Sequence, residues 1–212
     1  MLEVNNLKLS YKNDDVLKGV TFDVRLNQIV GIGGATSSGK SSIFESILNF
    51  TKFSNGTIIY ENKKVVYNKK KQINYLKKSI GYLSQNDYFL NYGTVLENFQ
   101  WLCKISKDEA IQIASITEIT DILYFDIDDI SKSEKMKFKL AISLAQSPTI
   151  LFIDEPLTSL KIDEVEEFLN LVEEISKDKK IGVVIASQYI EKFKNDRFDK
   201  IYRLEDGVLN AV

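Results

Sequence analysis

The chain has 212 residues, 44% of them hydrophobic, and a formal net charge of −2. That length allows one large or two small domains, and the mild acidity argues against an electrostatic role on nucleic acid. One cysteine excludes an internal disulfide, and the absence of histidine removes the commonest metal ligand and neutral-pH proton carrier, so ordinary zinc and triad chemistry are not expected.

In chain order, Leu2 to Tyr11 and Val20 to Val24 alternate apolar and polar residues, the pattern of strands with one covered face, with Asn13-Asp14-Asp15 as the turn between them. The start, Met1 to Asn6, shows no basic region followed by an apolar run, so no signal peptide is expected. Gln28 to Ile32 is a short apolar run, expected to be a buried strand. It leads into Gly34-Ala35-Thr36-Ser37-Ser38-Gly39-Lys40-Ser41, a G-x-x-x-x-G-K-S sequence. Ser42 to Leu48 then carries apolar residues at helical spacing. Strand, glycine loop and helix form the context of a phosphate-binding loop. Glycines let the backbone curl so that N–H groups point at an anion, and the helix aims its positive end at the same place. Residues Gly34 to Ser42 are thus candidates for binding the phosphates of a nucleotide. Lys40 is expected to reach the terminal phosphates and the Ser41 hydroxyl to ligate Mg2+.

Thr57 to Tyr60 and Val65 to Tyr67 read as a hairpin across Glu61-Asn62-Lys63-Lys64. The clusters Lys69-Lys70-Lys71 and Lys77-Lys78 read as a solvated face. Ile80 to Ser84 is a further short strand, ending at Gln85. From Thr94 to about Leu123 the spacing is helical, and Cys103 sits there among apolar residues as a core position. Thr149 to Ile153 is a continuous apolar run, expected to be a buried parallel strand. It ends in Asp154-Glu155-Pro156. A carboxylate at a strand's C-terminal end, beside a phosphate loop, is placed to hold Mg2+ through water. A second carboxylate one residue on can orient and deprotonate the attacking water. Asp163 to Ser176 reads as an amphipathic helix and Ile181 to Ile185 as a second buried strand. Phe198 to Leu204 and Val208 to Val212 read as strands around the Asp206-Gly207 turn. No uninterrupted apolar segment approaches the length of a membrane span.

Taken together, these motifs resemble the ATP-binding subunits of ABC transporters over nearly the whole chain. The resemblance implies that Tyr11 stacks on adenine and that Gln85 is the loop glutamine that meets Mg2+ and the membrane partner. It places Ile130-Ser131-Lys132-Ser133-Glu134 where the family has an L-S-G-G-Q signature, and Gln188 where it has a switch histidine. In the family two subunits pair head to tail, so that each ATP lies between one phosphate loop and the opposing signature, here Ser131. Lys132 and Ser133 put Cβ atoms where the family has glycine. Gln188 can donate to a phosphate but cannot carry a proton, and Lys161 stands in place of the usual aspartate. Thr94 to Asn98 suggests a lean toward exporters.

The expected architecture is one α/β domain over residues 1–212. A largely parallel P-loop NTPase core carries an antiparallel β subdomain on one side and a helical subdomain, roughly residues 86–146, on the other. The expected function is Mg2+-dependent ATP hydrolysis coupled to a transmembrane subunit. The catalytic set is Glu155, Gln188 and Gln85, and the metal set is Ser41, Gln85 and Asp154. The chain is expected to be cytoplasmic, peripheral on the membrane, and paired with a second nucleotide-binding subunit, like or unlike itself. Hydrolysis is expected to be slow or asymmetric because of the signature. The alternative is a regulatory module that ATP clamps together with little hydrolysis.

Overall fold

Strand β1 (Leu2–Tyr11) buries Leu2 and Val4, then Leu7 and Leu9, so its buried set changes phase partway along. A bulge absorbs the slip: pairing with β2 (Asp14–Val24) shifts between Val4↔Phe22 and Leu7↔Val20, with Asn6 in the left-handed region at φ 53°. The computed structural model describes residues 1–11, 14–90, 92–156, 160–193 and 197–212. Asn13 of the expected turn lies outside them, and Asp14 and Asp15 already belong to β2.

Strands β1, β2, β4 (Asn55–Tyr60) and β5 (Lys63–Lys64) form an antiparallel sheet in the order β2-β1-β4-β5. The hairpin is tighter than expected. Glu61 and Asn62 both take positive φ, 50° and 61°, so β4 reverses over two residues and β5 is only Lys63–Lys64. Val65 and Tyr67 leave the strand and pack half-buried against the core.

The second sheet has the order β10-β9-β3-β8-β7-β6. Strands β3 (Ile29–Gly33), β6 (Ile80–Leu83), β7 (Ile150–Asp154), β8 (Gly182–Ala186) and β9 (Lys200–Glu205) run parallel, and β10 (Val208–Ala211) pairs antiparallel with β9. Alternate residues of β7 serve two cores. Ile150 and Phe152 face helix α1 (Lys40–Ile47) and the antiparallel sheet, while Leu151 and Ile153 face α5 (Lys132–Leu144) and α6 (Ile162–Lys179).

The expected helical stretch splits into α3 (Val95–Cys103) and α4 (Lys107–Ile116), each opened by a capping box, Thr94 with Glu97 and Ser106 with Glu109. These helices enclose a third core with Phe138 and Ala141 of α5. Burial pushes the Cys103 thiol up to about 11, as suits a packed rather than a reactive cysteine. Phe89 stacks on Phe138 at 5.2 Å, so this loop aromatic also belongs to the core. The lysine clusters lie on a helix that the lysines concealed. Helix α2 (Lys70–Ser79) starts after Lys69, carries Lys70, Lys71, Lys77 and Lys78, and anchors through Ile73 and Leu76. No described helix is long and apolar enough to cross a membrane.

Candidate nucleotide site

In a parallel sheet the strand ends that open onto loops at the C-terminal edge make the site, and the order β3-β8-β7-β6 brings four such ends together. The loop after β3 depends on left-handed backbone. Gly34 has φ 148°, and a Cβ there would sit 2.7 Å from the Leu204 carbonyl; Gly39 has φ 102° where α1 begins.

Lys40, the first residue of α1, is 4% exposed. Its ammonium donates to the Gly34 carbonyl at 2.8 Å and the Ala35 carbonyl at 2.7 Å, and meets Glu155 Oε1 at 3.0 Å. Glu155 follows β7 directly. Its N–H donates to the Ala186 carbonyl at 2.8 Å, locking it to the end of β8. Its φ of 49° is left-handed, a conformation disfavoured before a proline and characteristic of strained functional positions. Glu155 Oε2 accepts the Gln188 N–H at 3.3 Å, and the Gln188 side-chain oxygen accepts the Thr36 hydroxyl at 2.9 Å. Loop, lysine, carboxylate and glutamine thus close a ring of contacts around the strand ends.

This ring borders a cavity of about 560 Å3. Tyr11, Thr36, Ser37, Gly39, Lys40, Ser41 and Ser42 line it together with Gln85, Glu155 and Gln188. Tyr11 is 46% exposed, as a side chain open to a stacking partner must be. Gly34 and Ala35 contribute through the carbonyls that hold Lys40, and Ala35 and Ser38 face a second opening beside Leu204 to Gly207. Ser131 does not line the cavity. It caps α5, and its hydroxyl accepts the Glu134 N–H at 3.2 Å.

Two lining or supporting residues carried no functional signal in the sequence. Val16 of β2 packs beside Gly39, where a Cβ on Gly39 would be 3.0 Å away. Tyr82 of β6 donates to Asp154 Oδ2 at 3.2 Å. Asp154 itself is 2% exposed and sits beneath the cavity. Burial raises its carboxyl above the ordinary range, against the opposing pull of the Ser41 and Tyr82 hydroxyls.

Among the described residues no group of three or more carboxylates and cysteines gathers to hold a metal by itself. The available donors are nevertheless those of a hard cation. Asp154 Oδ1 is buried with no hydrogen-bond partner, the Ser41 hydroxyl bears on the same carboxylate, and Gln85 borders the adjoining cavity. An all-oxygen set with few protein ligands suits Mg2+ bridged to phosphates.

The sequence profile described as ABC transporter matches residues 17–158. An uncharacterised ABC transporter ATP-binding protein of Methanocaldococcus jannaschii is 27% identical over 100% of this chain and 85% of its own length. The zinc import ATP-binding protein ZnuC of a Wolbachia is 26% identical over 88% of this chain and 73% of its own length. The methionine import ATP-binding protein MetN of Clostridium acetobutylicum is 26% identical over 100% of this chain and 68% of its own. The last two names speak of import, whereas Thr94 to Asn98 had suggested export. In fold, the chain superposes on cbiO1 of Clostridium perfringens, part of the cbiONQ transporter complex, with a TM-score of 0.88 at 24% identity over 98% of this chain and 86% of that one. The dimeric bacterial cassette MJ0796 gives 0.85 at 21% identity over 99% and 96%. With the phosphate loop, the carboxylate-ended strand and the family profile falling on the same residues, the chain belongs to the ATP-binding domains of the ABC transporter family.

Proposed function

We propose that this chain is an ATP-hydrolysing subunit that drives a membrane transporter. The observation that carries the reading is the position of Glu155, whose carboxylate borders the cavity and lies between the Lys40 ammonium and the Gln188 N–H. A base that must act on water beside a terminal phosphate needs that place. Lys40 and the loop N–H groups bind phosphate, and Tyr11 receives the adenine. Ser41, Asp154 and Gln85 hold Mg2+, which when bound neutralises charge on the phosphates. Incoming phosphate takes over Lys40 from Glu155 and so releases the carboxylate toward water. Glu155→Gln tests this. Turnover should fall by about 10²- to 10⁴-fold while ATP affinity is kept, measured by phosphate release and calorimetry; unchanged turnover would remove Glu155 from the reaction.

The finer reading is slow or asymmetric hydrolysis. Ser131, Lys132 and Ser133 would face the ATP of an opposing subunit. The α5 N-terminus that would face that phosphate carries a carboxylate, since Glu134 accepts the Ser131 N–H at 2.7 Å. A phosphate arriving there meets a carboxylate as well as helix N–H groups. This supports pairing with a second nucleotide-binding chain whose signature is open. It also favours the alternative, an ATP-clamped regulatory module with little hydrolysis. A membrane subunit is the natural further partner, which makes the chain peripheral on the cytoplasmic face. The backbone pairs Gly93 to Leu96 with Leu123 to Ile127, and this carries the exposed Tyr92, Tyr124 and Phe125. Exposed aromatics grouped in this way suit a protein contact. Import is the direction we favour, from the relatives' names.

A further inference from the structure

Helix α5 packs on two sides. Met136, Leu140 and Leu144 join the core under the parallel sheet, and Phe138 and Ala141 join the helical core. Lys139 lies between these faces and is 2% exposed. Withdrawing an ammonium from water costs several kcal/mol unless good acceptors replace the water. Here the replacements come from a single stretch of chain. Lys139 Nζ donates to the Gln85 carbonyl at 3.0 Å and to Asp87 Oδ1 at 3.1 Å. An apolar residue would fill this part of α5 without such a cost, so packing alone does not call for lysine. Buried positions that break the local rule are where function is expected.

The stretch being held is the one that carries Gln85, and the helix holding it is the one that begins at Ser131. A second cavity, of about 420 Å3, runs between them, bordered by Lys132, Lys135 and Lys139, and it shares Gln85 and Glu155 with the nucleotide cavity. We propose that Lys139 is a positioning residue. It ties residues 85–87 to α5, sets Gln85 at the metal side of the nucleotide cavity, and makes Gln85 follow α5 when an opposing cassette closes on Ser131. This inference rests on the reading of Gln85 given above. The tie itself does not, which allows the two to be tested apart.

The test uses the purified chain with Lys139→Met, Lys139→Arg, Gln85→Ala and the Lys139→Met/Gln85→Ala double variant. ATP affinity is measured with EDTA and with Mg2+, and amide hydrogen exchange is followed without nucleotide. Lys139→Met should leave affinity in EDTA within about twofold and reduce the Mg2+ enhancement by roughly fivefold or more, about the loss of one charge-assisted hydrogen bond. The double variant should be no worse than Gln85→Ala alone, since both act through one group. Lys139→Arg should restore most of the enhancement. Exchange in residues 84–90 should quicken in Lys139→Met while α3 and the rest of α5 stay protected. Parental exchange in residues 84–90 overturns the tie, and so does a double variant that loses the product of the two singles. If Lys139→Met does not fold, Asp87→Ala replaces it, with the same expected exchange and the same overturning result. If exchange responds but Gln85→Ala leaves the Mg2+ enhancement intact, the tie stands and the assignment of Gln85 to the metal is what fails.

Discussion

Two helices of this protein begin at loops that the family uses for phosphate, and they begin differently. Helix α1 starts at Gly39 with no side-chain cap and no acidic residue in its first turn, and the cavity lies in front of it. Helix α5 starts at Ser131 with a complete capping box, and Glu134 occupies its first turn. The first leaves N–H groups and a positive dipole end for a ligand to satisfy; the second satisfies those of Ser131 and Glu134 from its own sequence and sets the Glu134 carboxylate against its positive end. Thr94 with Glu97 and Ser106 with Glu109 open α3 and α4 in the same way as α5. Helix α5 therefore starts as α3 and α4 do. What sets it apart from α1 is the carboxylate of Glu134 at its positive end, where the L-S-G-G-Q pattern has a neutral glutamine.

The most severe challenge to this contrast is Lys40→Ala. It removes the charge from the uncapped end, and ATP affinity should fall by roughly 30- to 1000-fold, the loss of about 2–4 kcal/mol of charge-assisted bonding. Equal affinity in calorimetry would mean that α1 is not the receptor. Next is the reverse operation on α5. Lys132→Gly with Ser133→Gly and Glu134→Gln should clear two Cβ atoms and remove the carboxylate charge from its N-terminus, raising ATP-dependent dimerisation and turnover by about tenfold, the scale of one added charge-assisted contact. Sedimentation and phosphate release check this, and no gain would show that neither the side chains nor the charge limits the site.

Asp154→Asn sharpens the electrostatics under α1. Burial raises the Asp154 pKa in the folded chain, so the folded state holds the proton more tightly than the unfolded one. Its contribution is then most favourable at low pH and is lost as pH rises from the ordinary carboxylate value through the raised one. The asparagine variant should unfold at higher temperature than the parent at neutral pH, and the gap should close as pH falls into the carboxylate range. A gap that widens on acidification would reverse the sign. The smallest expected effect compares caps directly. Ser131→Ala and Thr94→Ala should each cost about 1 kcal/mol, and Ser131→Ala should leave ATP binding to the isolated chain unchanged. A thermal melt and a titration suffice.

Much of the site was legible before the fold was known, because its chemistry is written in contiguous residues. Gly34 to Ser42 and Asp154-Glu155 were picked out as candidates by type and spacing, and the structure brings Lys40 and Glu155 within 3.0 Å of each other. Gln85, Gln188 and Tyr11 were reached by resemblance, and the cavity gathers all three. What stayed hidden depended on partners distant in the chain. Tyr82 reads as a plain strand residue until β6 lies beside β7 and its hydroxyl meets Asp154. Helix α2 was missed because two apolar anchors among lysines make a weak period. Lys139 reads as solvated until α5 is packed on both sides.

By itself, then, the sequence determined the family and its local motifs: a glycine loop followed by lysine and serine, and a carboxylate pair behind a buried strand. Those features are local, set by backbone freedom and side-chain type over a few residues. Tertiary structure alone decided which distant groups share a charge and which are withdrawn from water. Glu155 is bound to Lys40, Tyr82 meets Asp154, and Lys139 is buried against the backbone of Gln85. Electrostatic pairing and desolvation act through space, and no spacing along the chain encodes the distance between strands that only meet when the sheet forms.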